Sequence, residues 1–212
     1  IGPDEGLSAC GEFGYSRLSV TSNIIDYIKK KSDNKKVLDL KNKKVLVTAG
    51  PTVEAIDEVR YISNHSSGKQ GYLIAEEFAK HGAEVVLVSG PVSIKPPNNV
   101  NLFNASTADE MLKKCLKCLP VDIAVFVAAV ADWKVEKQYP GKIKKKNNSM
   151  TLNFKKNPDI LQYIANHNIR PNLVIGFSAE TEKIEENARK KLMQKGCDWL
   201  LGNIVGTVSY TH

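Results

Sequence analysis

The residues best suited to chemistry stand together at the end of a long polar loop, directly ahead of a predicted helix. They are Asn64, His65, Ser66, Ser67 and Gly68. Hydroxyl groups and the free N–H groups of a helix N-terminus together form a site for an anion such as a phosphate. The same residue types also build an ordinary helix-capping loop, and the local sequence does not decide between the two interpretations. His65 is a weaker candidate, as a general base, because no carboxylate accompanies it nearby in the sequence.

Two further candidates follow the most apolar predicted strand. Ala128 and Ala129 are small enough to let a ligand approach the backbone closely, and the carboxylate of Asp132 could then bind a hydroxyl, an amide or a metal. A single Asp more often caps the next element, so that interpretation stays open. The lysine-rich segment 141–146 could place several cations over a polyphosphate, although most such runs are solvated surfaces.

Three familiar motifs are absent from the sequence. The first predicted strand is not followed by GxGxxG, and no carboxylate follows the second strand to hold a ribose. Gly68-Lys69 is followed by Gln70 instead of Ser or Thr, which excludes a P-loop. Cys115 and Cys118 have CxxC spacing within a helical pattern, but no second pair completes a zinc site, so we expect them to pack.

The elements that position these loops alternate regularly. Apolar runs predict strands at 44–48, 84–88, 122–127, 151–154, 173–177 and 198–201. Helical patterns lie at 71–81, 107–119, 157–166 and 182–195, the third with Asn157 as N-cap and Pro158 as first helical residue. This alternation predicts an α/β fold, with a Rossmann-like, mostly parallel sheet and helices on both faces. Ligands bind such folds outside the carboxyl ends of the strands, here the loops after Thr48, Val127 and Phe177.

The totals favour an ordinary globular protein with anionic partners. The chain has 212 residues, a net charge of +7 and no apolar run approaching a membrane span. The positive charge suits nucleic acid, or equally a nucleotide and a phosphorylated substrate. Four cysteines without disulfide-framework spacing favour the cytoplasm. Because the chain opens with Ile1, we expect a fragment of a longer protein.

The first forty residues differ from the rest in composition. Residues 1–19 are rich in glycine and small side chains and are predicted to be loop. A helical pattern follows at 22–31, and we interpret the lysine-rich stretch 29–44 as a linker. We place a domain boundary near Leu40.

Five segments in a fixed order closely resemble the bacterial phosphopantothenoylcysteine synthetase family, also called phosphopantothenate–cysteine ligase. They are VTAGPTVEAIDEVRYISNHSSGKQG, AAVADW, GKIKKK, KNPDIL and GFSAETE. The opening GPDEGLSACGEFGYSRL resembles the substrate clamp of the flavin-dependent decarboxylase that is usually fused ahead of this ligase. The resemblance implies that residues 1–39 are a remnant of the decarboxylase plus a linker. Residues 40–212 would be the ligase domain, incomplete at its C-terminus.

The resemblance also implies a role for each matching residue. Asn64 would hold phosphopantothenate and the acyl-nucleotide intermediate, and Lys142 would contact the nucleotide phosphates. Arg60 would reach into the substrate site of a neighbouring subunit, and Cys10 would be the proton donor of the decarboxylase. The wall between substrate and nucleotide would be Ala128, Ala129 and Asp132. The other implied nucleotide contacts are Gly50, Ser66, Ser67, Gly68, Phe126, Val127, Lys145, Pro158, Asp159, Ile160, Leu161, Phe177, Lys191 and Lys195.

The activity implied by the resemblance is the joining of 4'-phosphopantothenate to cysteine through an acyl-cytidylate made from CTP. Mg²⁺ would assist, with ligands that the sequence does not identify, and FMN would belong only to the decarboxylase domain. The implied partners are these small molecules and a second subunit in a homodimer, with a higher oligomer in the longer protein and no nucleic acid or membrane. Two alternatives remain, an NAD(P)-dependent reductase on a related fold and a non-catalytic nucleotide-binding fragment.

Overall fold

The computed structural model describes residues 4–7, 13–17, 21–32, 40–144, 149–180 and 184–204. The strands in these ranges are β1 (Asp4–Leu7), β2 (Phe13–Arg17), β3 (Lys44–Ala49), β4 (Val53–Ala55), β5 (Tyr61–Ser63), β6 (Glu84–Ser89), β7 (Val100–Asn104), β8 (Ile123–Phe126), β9 (Trp133–Val135), β10 (Phe154–Lys156), β11 (Leu173–Glu180) and β12 (Trp199–Ile204). The helices are α1 (Thr21–Ser32), α2 (Lys69–Lys80), α3 (Ala108–Cys118), α4 (Ile160–Ala165) and α5 (Ile184–Lys195).

The main sheet has six strands in the order β12-β11-β8-β3-β6-β7, and every neighbouring pair is parallel. After β3 the chain adds β6 and β7 on one side of it, and then returns to add β8, β11 and β12 on the other. The strand order therefore reverses between β3 and β8. The predicted α/β class with a parallel sheet is confirmed.

The sheet is covered by helices on both faces because its strands are apolar on both faces. Successive side chains of a strand point to opposite sides. Val45 and Val47 of β3 accordingly pack in one core cluster with Phe78 of α2. Leu46 packs in a second cluster with Met111 of α3. Two cores thus hold β3 rigidly, and its carboxyl end leads into the first candidate loop.

Three small antiparallel pairs accompany the main sheet, namely β1 with β2, β4 with β5, and β9 with β10. The prediction of loop throughout 1–19 is wrong for the first pair, where Leu7 pairs with Phe13. Local pairing satisfies backbone N–H and C=O groups even where the side chains give no strand pattern. The sequence patterns also do not predict β4, β5, β9 or the edge strand β7.

Most predicted elements are confirmed with shifted ends. The strand predicted at 151–154 lies instead at Phe154–Lys156, where it pairs with β9. The helix predicted from Asn157 begins at Ile160, and its N-cap is Asp159, whose carboxylate accepts from the N–H of Gln162 at 3.0 Å. Asn157 is therefore not the cap, and its side chain has another role described below.

Helix α1 packs on the main domain. Ile24, Ile25 and Ile28 are buried in the same cluster as Leu40 and Phe78. The helix ends at Ser32, so the predicted linker is helical over its first residues, and 33–39 lie outside the described residues. The domain boundary near Leu40 stays a prediction. No helix in the described ranges is long and apolar enough to cross a membrane.

Candidate active site

The loop after β3 turns sharply at Gly50 and runs beside the loop after β8. Gly50 has a φ of 71°, and its carbonyl accepts from the N–H of Ala129 at 2.9 Å. The carbonyl of Ala129 in turn accepts from the N–H of Thr52 at 3.2 Å. These two bonds extend the β3–β8 pairing past the end of the sheet. They place Gly50 and Ala129 side by side at the point where the strand order reverses.

Two buried threonine hydroxyls fix the same pair of loops. Oγ1 of Thr48 accepts from the N–H groups of Val127 and Ala128 at 3.2 and 3.3 Å. Oγ1 of Thr52 accepts from the N–H of Ala131 at 2.9 Å. The two threonines are 1% and 0% exposed, so they position the loop and do not contact a ligand.

Asn64 belongs to this cluster. Its side-chain Nδ2 donates to the carbonyl of Val130 at 3.0 Å. The neighbouring Ser63 donates its hydroxyl to the carbonyl of Thr52 at 2.7 Å. The first loop therefore returns to its own beginning after the β4–β5 hairpin, and it presents Asn64 at the loop that follows β8.

The serines of the predicted anion site accept hydrogen bonds from the backbone at the start of α2. Oγ of Ser66 accepts from the N–H of Gly68 at 3.2 Å, and Oγ of Ser67 accepts from the N–H of Lys69 at 3.4 Å. Gly68 has a φ of 74° and is the N-cap of α2. A Cβ on Gly68 would lie 3.2 Å from Cα of Gly50, so the two turns touch. Each of these bonds uses one acceptor position of a serine oxygen, while the hydroxyl proton stays available to a ligand.

Asp132 does not cap the element that follows it. Its carboxylate is exposed, and its backbone carbonyl accepts from the N–H of Asn157 at 2.8 Å. The side chain of Asn157 donates to the carbonyl of Ala131 at 2.8 Å. Asn157 thus ties the approach to α4 onto the loop after β8, and this explains why it does not serve as the helix cap. Asp132 remains a candidate for contact with a ligand.

The other implied nucleotide contacts lie on β8, β11, α4 and α5. Phe126 and Ile160 are buried in the core, while Val127, Pro158, Leu161 and Phe177 are half-buried. The side chains of Phe126 and Ile160 therefore pack in the core. Leu161 packs against Gly176, where a Cβ would come within 2.5 Å of its Cδ2.

The two lysines among the implied nucleotide contacts lie on α5, which follows β11. Lys191 lies mid-helix, and Lys195 forms an ion pair with Asp159, the N-cap of α4. This pairing neutralises the ammonium of Lys195 within the chain. A nucleotide phosphate would therefore compete with Asp159 for this ammonium.

Arg60 and the lysine segment meet on the β4–β5 hairpin. Nη1 of Arg60 lies 2.5 Å from Oδ2 of Asp57, and both terminal guanidinium nitrogens lie within 3.4 Å of the carbonyl of Ile143. Asp57 also accepts from the N–H of Ile143 at 3.0 Å. Lys142, next in sequence to Ile143, has an exposed side chain.

The pKa of Asp57 is lowered to about 2. The largest cause is the N–H of Ile143, followed among the lowering effects by the N–H groups of Val59 and Arg60 and the Arg60 guanidinium. Together they outweigh burial, which raises the pKa. Asp57 is therefore ionised at any ordinary working pH.

Two implied site residues, Cys10 and Lys145, lie outside the described residues. The cysteines of the CxxC spacing pack as expected, and burial raises the pKa of the Cys115 thiol. Among the described residues, no group of three or more His, Cys, Asp or Glu side chains could hold a metal ion.

The carboxyl end of β6 does not suit a ribose. Ser89 is fully buried there, and its hydroxyl donates to the carbonyl of Gly90 at 2.8 Å and accepts from Tyr72 at 3.1 Å. In dinucleotide-binding reductases a carboxylate occupies this position. The geometry gives the reductase alternative no support.

Sequence reasoning missed the positioning role of the residues that hold the site together, namely Thr48, Thr52, Asp57, Ser63 and Asn157. A weak signal existed for Thr48 and Thr52, because a threonine within or directly after a buried strand must find a hydrogen-bond partner. No signal distinguishes Asp57 from the two glutamates near it in the same loop.

A parallel sheet with a hydrogen-bonded loop cluster at its switch point defines a class of α/β domain that binds ligands at that edge. Residues 40–210 match the model of the DNA/pantothenate metabolism flavoprotein C-terminal domain family, and the chain belongs to this family. The predicted relationship to the coenzyme A biosynthetic proteins is confirmed by the comparisons that follow.

The relatives carry the name coenzyme A biosynthesis bifunctional protein CoaBC. The chain is 42% identical over 206 residues to that of Haemophilus influenzae, covering 97% of this chain and 51% of the relative. It is 41% identical over 209 residues to that of Escherichia coli, covering 96% and 51%. The crystal structure of the C-terminal domain of a CoaBC protein matches with a TM-score of 0.69 and 38% identity, over 78% of this chain and 79% of the other. The chain spans about half the length of the curated relatives it matches.

Proposed function

We propose that this chain carries the phosphopantothenate–cysteine ligase activity of a coenzyme A biosynthetic enzyme. The observation that supports this proposal most directly is the loop cluster at the switch point. There, direct hydrogen bonds hold Gly50, Asn64 and Ala129. Such an edge suits a nucleotide and an acyl substrate placed side by side. Membership of the family and the names of the relatives support the same activity.

The proposed reaction has two steps. A carboxylate oxygen of 4'-phosphopantothenate attacks the α-phosphorus of CTP, and the bond to the β-phosphate breaks to release pyrophosphate. The amine nitrogen of cysteine then attacks the acyl carbon of the acyl-cytidylate. CMP leaves, the amine loses a proton, and 4'-phosphopantothenoylcysteine is formed. Activation is needed because a free carboxylate is a poor acylating agent.

Asn64 is the proposed orienting residue for the acyl group. One N–H of its amide is used on Val130, so the second N–H and the amide oxygen are the groups left for a substrate. Ala128 and Ala129 lack side chains that would block the approach. Asp132 presents an exposed carboxylate beside them.

Lys142 is the proposed cation for the phosphates. Bringing phosphopantothenate to CTP sets two anions against each other, and a positioned cation lowers the cost as charge moves toward the leaving pyrophosphate. The net charge of +7 suits the same task. The protein side chains described here do not form a metal site of their own, so Mg²⁺ would arrive with the nucleotide phosphates, which usually supply most of its ligands.

The proposal includes a homodimer. Val59 and Tyr61 are 59% and 63% exposed on the β4–β5 hairpin, on either side of Arg60 in the sequence. Burying such side chains against a second subunit would remove apolar surface from water. Decarboxylation with FMN is assigned to the longer protein and not to this chain.

The experiment is a pyrophosphate-release assay with phosphopantothenate, cysteine and CTP, ATP, GTP or UTP in turn. We expect release that depends on phosphopantothenate and is fastest with CTP. No release with any nucleotide would overturn the proposed activity, and equal or faster release with ATP would overturn the choice of CTP. Light scattering during size-exclusion chromatography tests the dimer, since a monomer at assay concentration would contradict it.

A further inference from the structure

The segment that carries Lys142 is docked on the β4–β5 hairpin. The N–H of Tyr139 donates to the carbonyl of Ile56 at 3.0 Å. Four residues later, both backbone groups of Ile143 are bound, the N–H to Asp57 and the carbonyl to Arg60. Between these two attachments Gly141 has a φ of 71°, a conformation that lets the chain reverse.

Asp57 is the centre of the second attachment. Its carboxylate accepts from three backbone N–H groups, those of Val59, Arg60 and Ile143, at 2.7–3.0 Å. It also pairs with the Arg60 guanidinium, and its side chain is fully enclosed. Two of these N–H groups belong to the turn of the hairpin and one to the lysine segment. A single ionised carboxylate therefore joins two parts of the chain that lie 86 residues apart.

The hairpin is itself fixed at both ends, and its second end returns to the active-site loops. At its start, the N–H of Val53 donates to the carbonyl of Ser106 at 2.7 Å, directly after Thr52. At its end, Ser63 returns to the Thr52 carbonyl, directly before Asn64. The frame that positions Asn64 is thus continued through the hairpin to Asp57, and from Asp57 to the residue beside Lys142.

We propose that Asp57 is a positioning residue for the ligase reaction. Through the backbone of Ile143, it holds the Lys142 ammonium in a fixed position relative to the switch-point loops. The inference rests on the proposed function, because it requires Lys142 to act on the nucleotide phosphates. Asp57 does not touch substrate. It acts through Lys142. If the hydrogen bonds of Asp57 are lost, the segment that carries Lys142 loses its attachment at Ile143.

The test is a double-mutant cycle on steady-state pyrophosphate release from phosphopantothenate and CTP with saturating cysteine. Asp57→Asn keeps the shape of the side chain but replaces one accepting oxygen by an N–H₂ group. We expect kcat to fall at least about tenfold, since a shift of about 1 Å in a catalytic group costs about 10² in rate. The KM for phosphopantothenate should stay within twofold. Combined with Lys142→Gln, it should lower kcat no further than Lys142→Gln alone, because both changes remove the same interaction.

Asp122→Asn is the matched control. Asp122 also accepts a backbone N–H, that of Lys44 at 2.9 Å, and pairs with Lys43, but at the amino end of the strands. It should leave kcat unchanged both in the wild type and with Lys142→Gln. If Asp57→Asn does not fold, Ile143→Pro removes the N–H donor from the other side, and Ile143→Ala, which keeps it, is its control. We expect the proline variant to be slow and the alanine variant to be near the wild type.

Four outcomes would overturn this account in part or in whole, and they separate its three claims. Losses that multiply in the double variant, or a wild-type kcat for folded Asp57→Asn, would overturn the positioning role alone. A wild-type rate for Lys142→Gln would overturn the role of the lysine and with it the inference. No pyrophosphate from the wild type would overturn the proposed function itself.

Discussion

Asn64 donates a hydrogen bond from its side-chain amide to the carbonyl oxygen of Val130 at 3.0 Å, across 66 residues of sequence. The bond joins the loop after β3 to the loop after β8 at the point where the strand order reverses. It fixes the direction of the amide, because exchanging its oxygen and nitrogen would set two acceptors against each other. The side chain of Asn64 thus both joins two loops and serves as a proposed ligand contact.

Asn64→Asp should make the acyl-cytidylate and fail to convert it efficiently to the amide. The new carboxylate would face the Val130 carbonyl and place negative charge beside a phosphorylated substrate. Loss of one positioned donor costs on the order of 10²–10³ in rate. The measurement is mass analysis of a quenched reaction containing all substrates, with exposed Asn98→Asp as control. Normal amide product without accumulated intermediate would reduce Asn64 to a loop residue.

Gly68→Ala should destabilise the protein more than Gly141→Ala. Both glycines have a positive φ, 74° and 71°, so both substitutions carry the cost of a left-handed residue, about 1–2 kcal/mol. A Cβ at Gly68 would also lie 2.8 Å from Cγ1 of Val92, whereas nothing lies within 4 Å at Gly141. Urea unfolding of the two variants measures the difference. Equal midpoints would mean that the contact between the new Cβ and Val92 relaxes without cost.

Thr52→Val should cost about 1–3 kcal/mol in the free energy of unfolding, because the buried N–H of Ala131 loses its acceptor. The new side chain has nearly the same volume, so packing changes little. Exposed Thr151→Val is the control and should change stability by less than about 0.5 kcal/mol. Thr52→Val should also slow amide formation, as the loop after β8 loses one of its attachments. A variant as stable as the control would show that the hydroxyl is not needed to hold the loop.

The Asp57 carboxylate should make stability depend on pH in the acid range. Its folded pKa of about 2 is below the ordinary value of 3.8, so the unfolded chain binds the proton more readily. The stabilisation is fully present above about pH 4 and is lost as the pH falls toward 2. The urea midpoints of wild type and Asp57→Asn should therefore converge on acidification from pH 5 to pH 2. Parallel curves would contradict the paired state of this carboxylate.

The fold can be predicted from the sequence where apolar residue types coincide with buried positions. The strands β3, β6, β8 and β11 are apolar on both faces, and this pattern belongs to few structures other than a covered parallel sheet. The edge strand β7 was not accessible, because residues such as Asn101 and Phe103 are exposed and the strand exists through pairing with β6. The sequence predicts the N-cap of α4 two residues too early, at Asn157 instead of Asp159, because Asn and Asp have equal local capping tendencies. A bond to Ala131, far away in the sequence, decides between them.

The sequence predicts which loops form the site, but it does not predict how their side chains are arranged. Parallel strands end at one edge, so the loops after β3 and β8 had to meet there. The hydrogen bonds that align them depend on partners 66–86 residues away, as for Asn64 and Asp57. No local pattern encodes such a pairing. The pairing of Lys195 with Asp159, 36 residues earlier in the chain, shows the same limit.

The order of the strands has a consequence for how the protein is made. The central strand β3 gains its neighbour β6 soon after synthesis, but its other neighbour β8 follows only later, and Lys44 meets Asp122 across 78 residues. At about 5–20 residues per second, translation leaves one side of β3 unpaired for several seconds. During that interval the loop after β3 lacks the loop after β8 beside it. The apolar edge of β3 is also open to pairing with other nascent chains. Factors that shield nascent apolar segments should therefore matter most for this chain while α3 and β8 are leaving the ribosome.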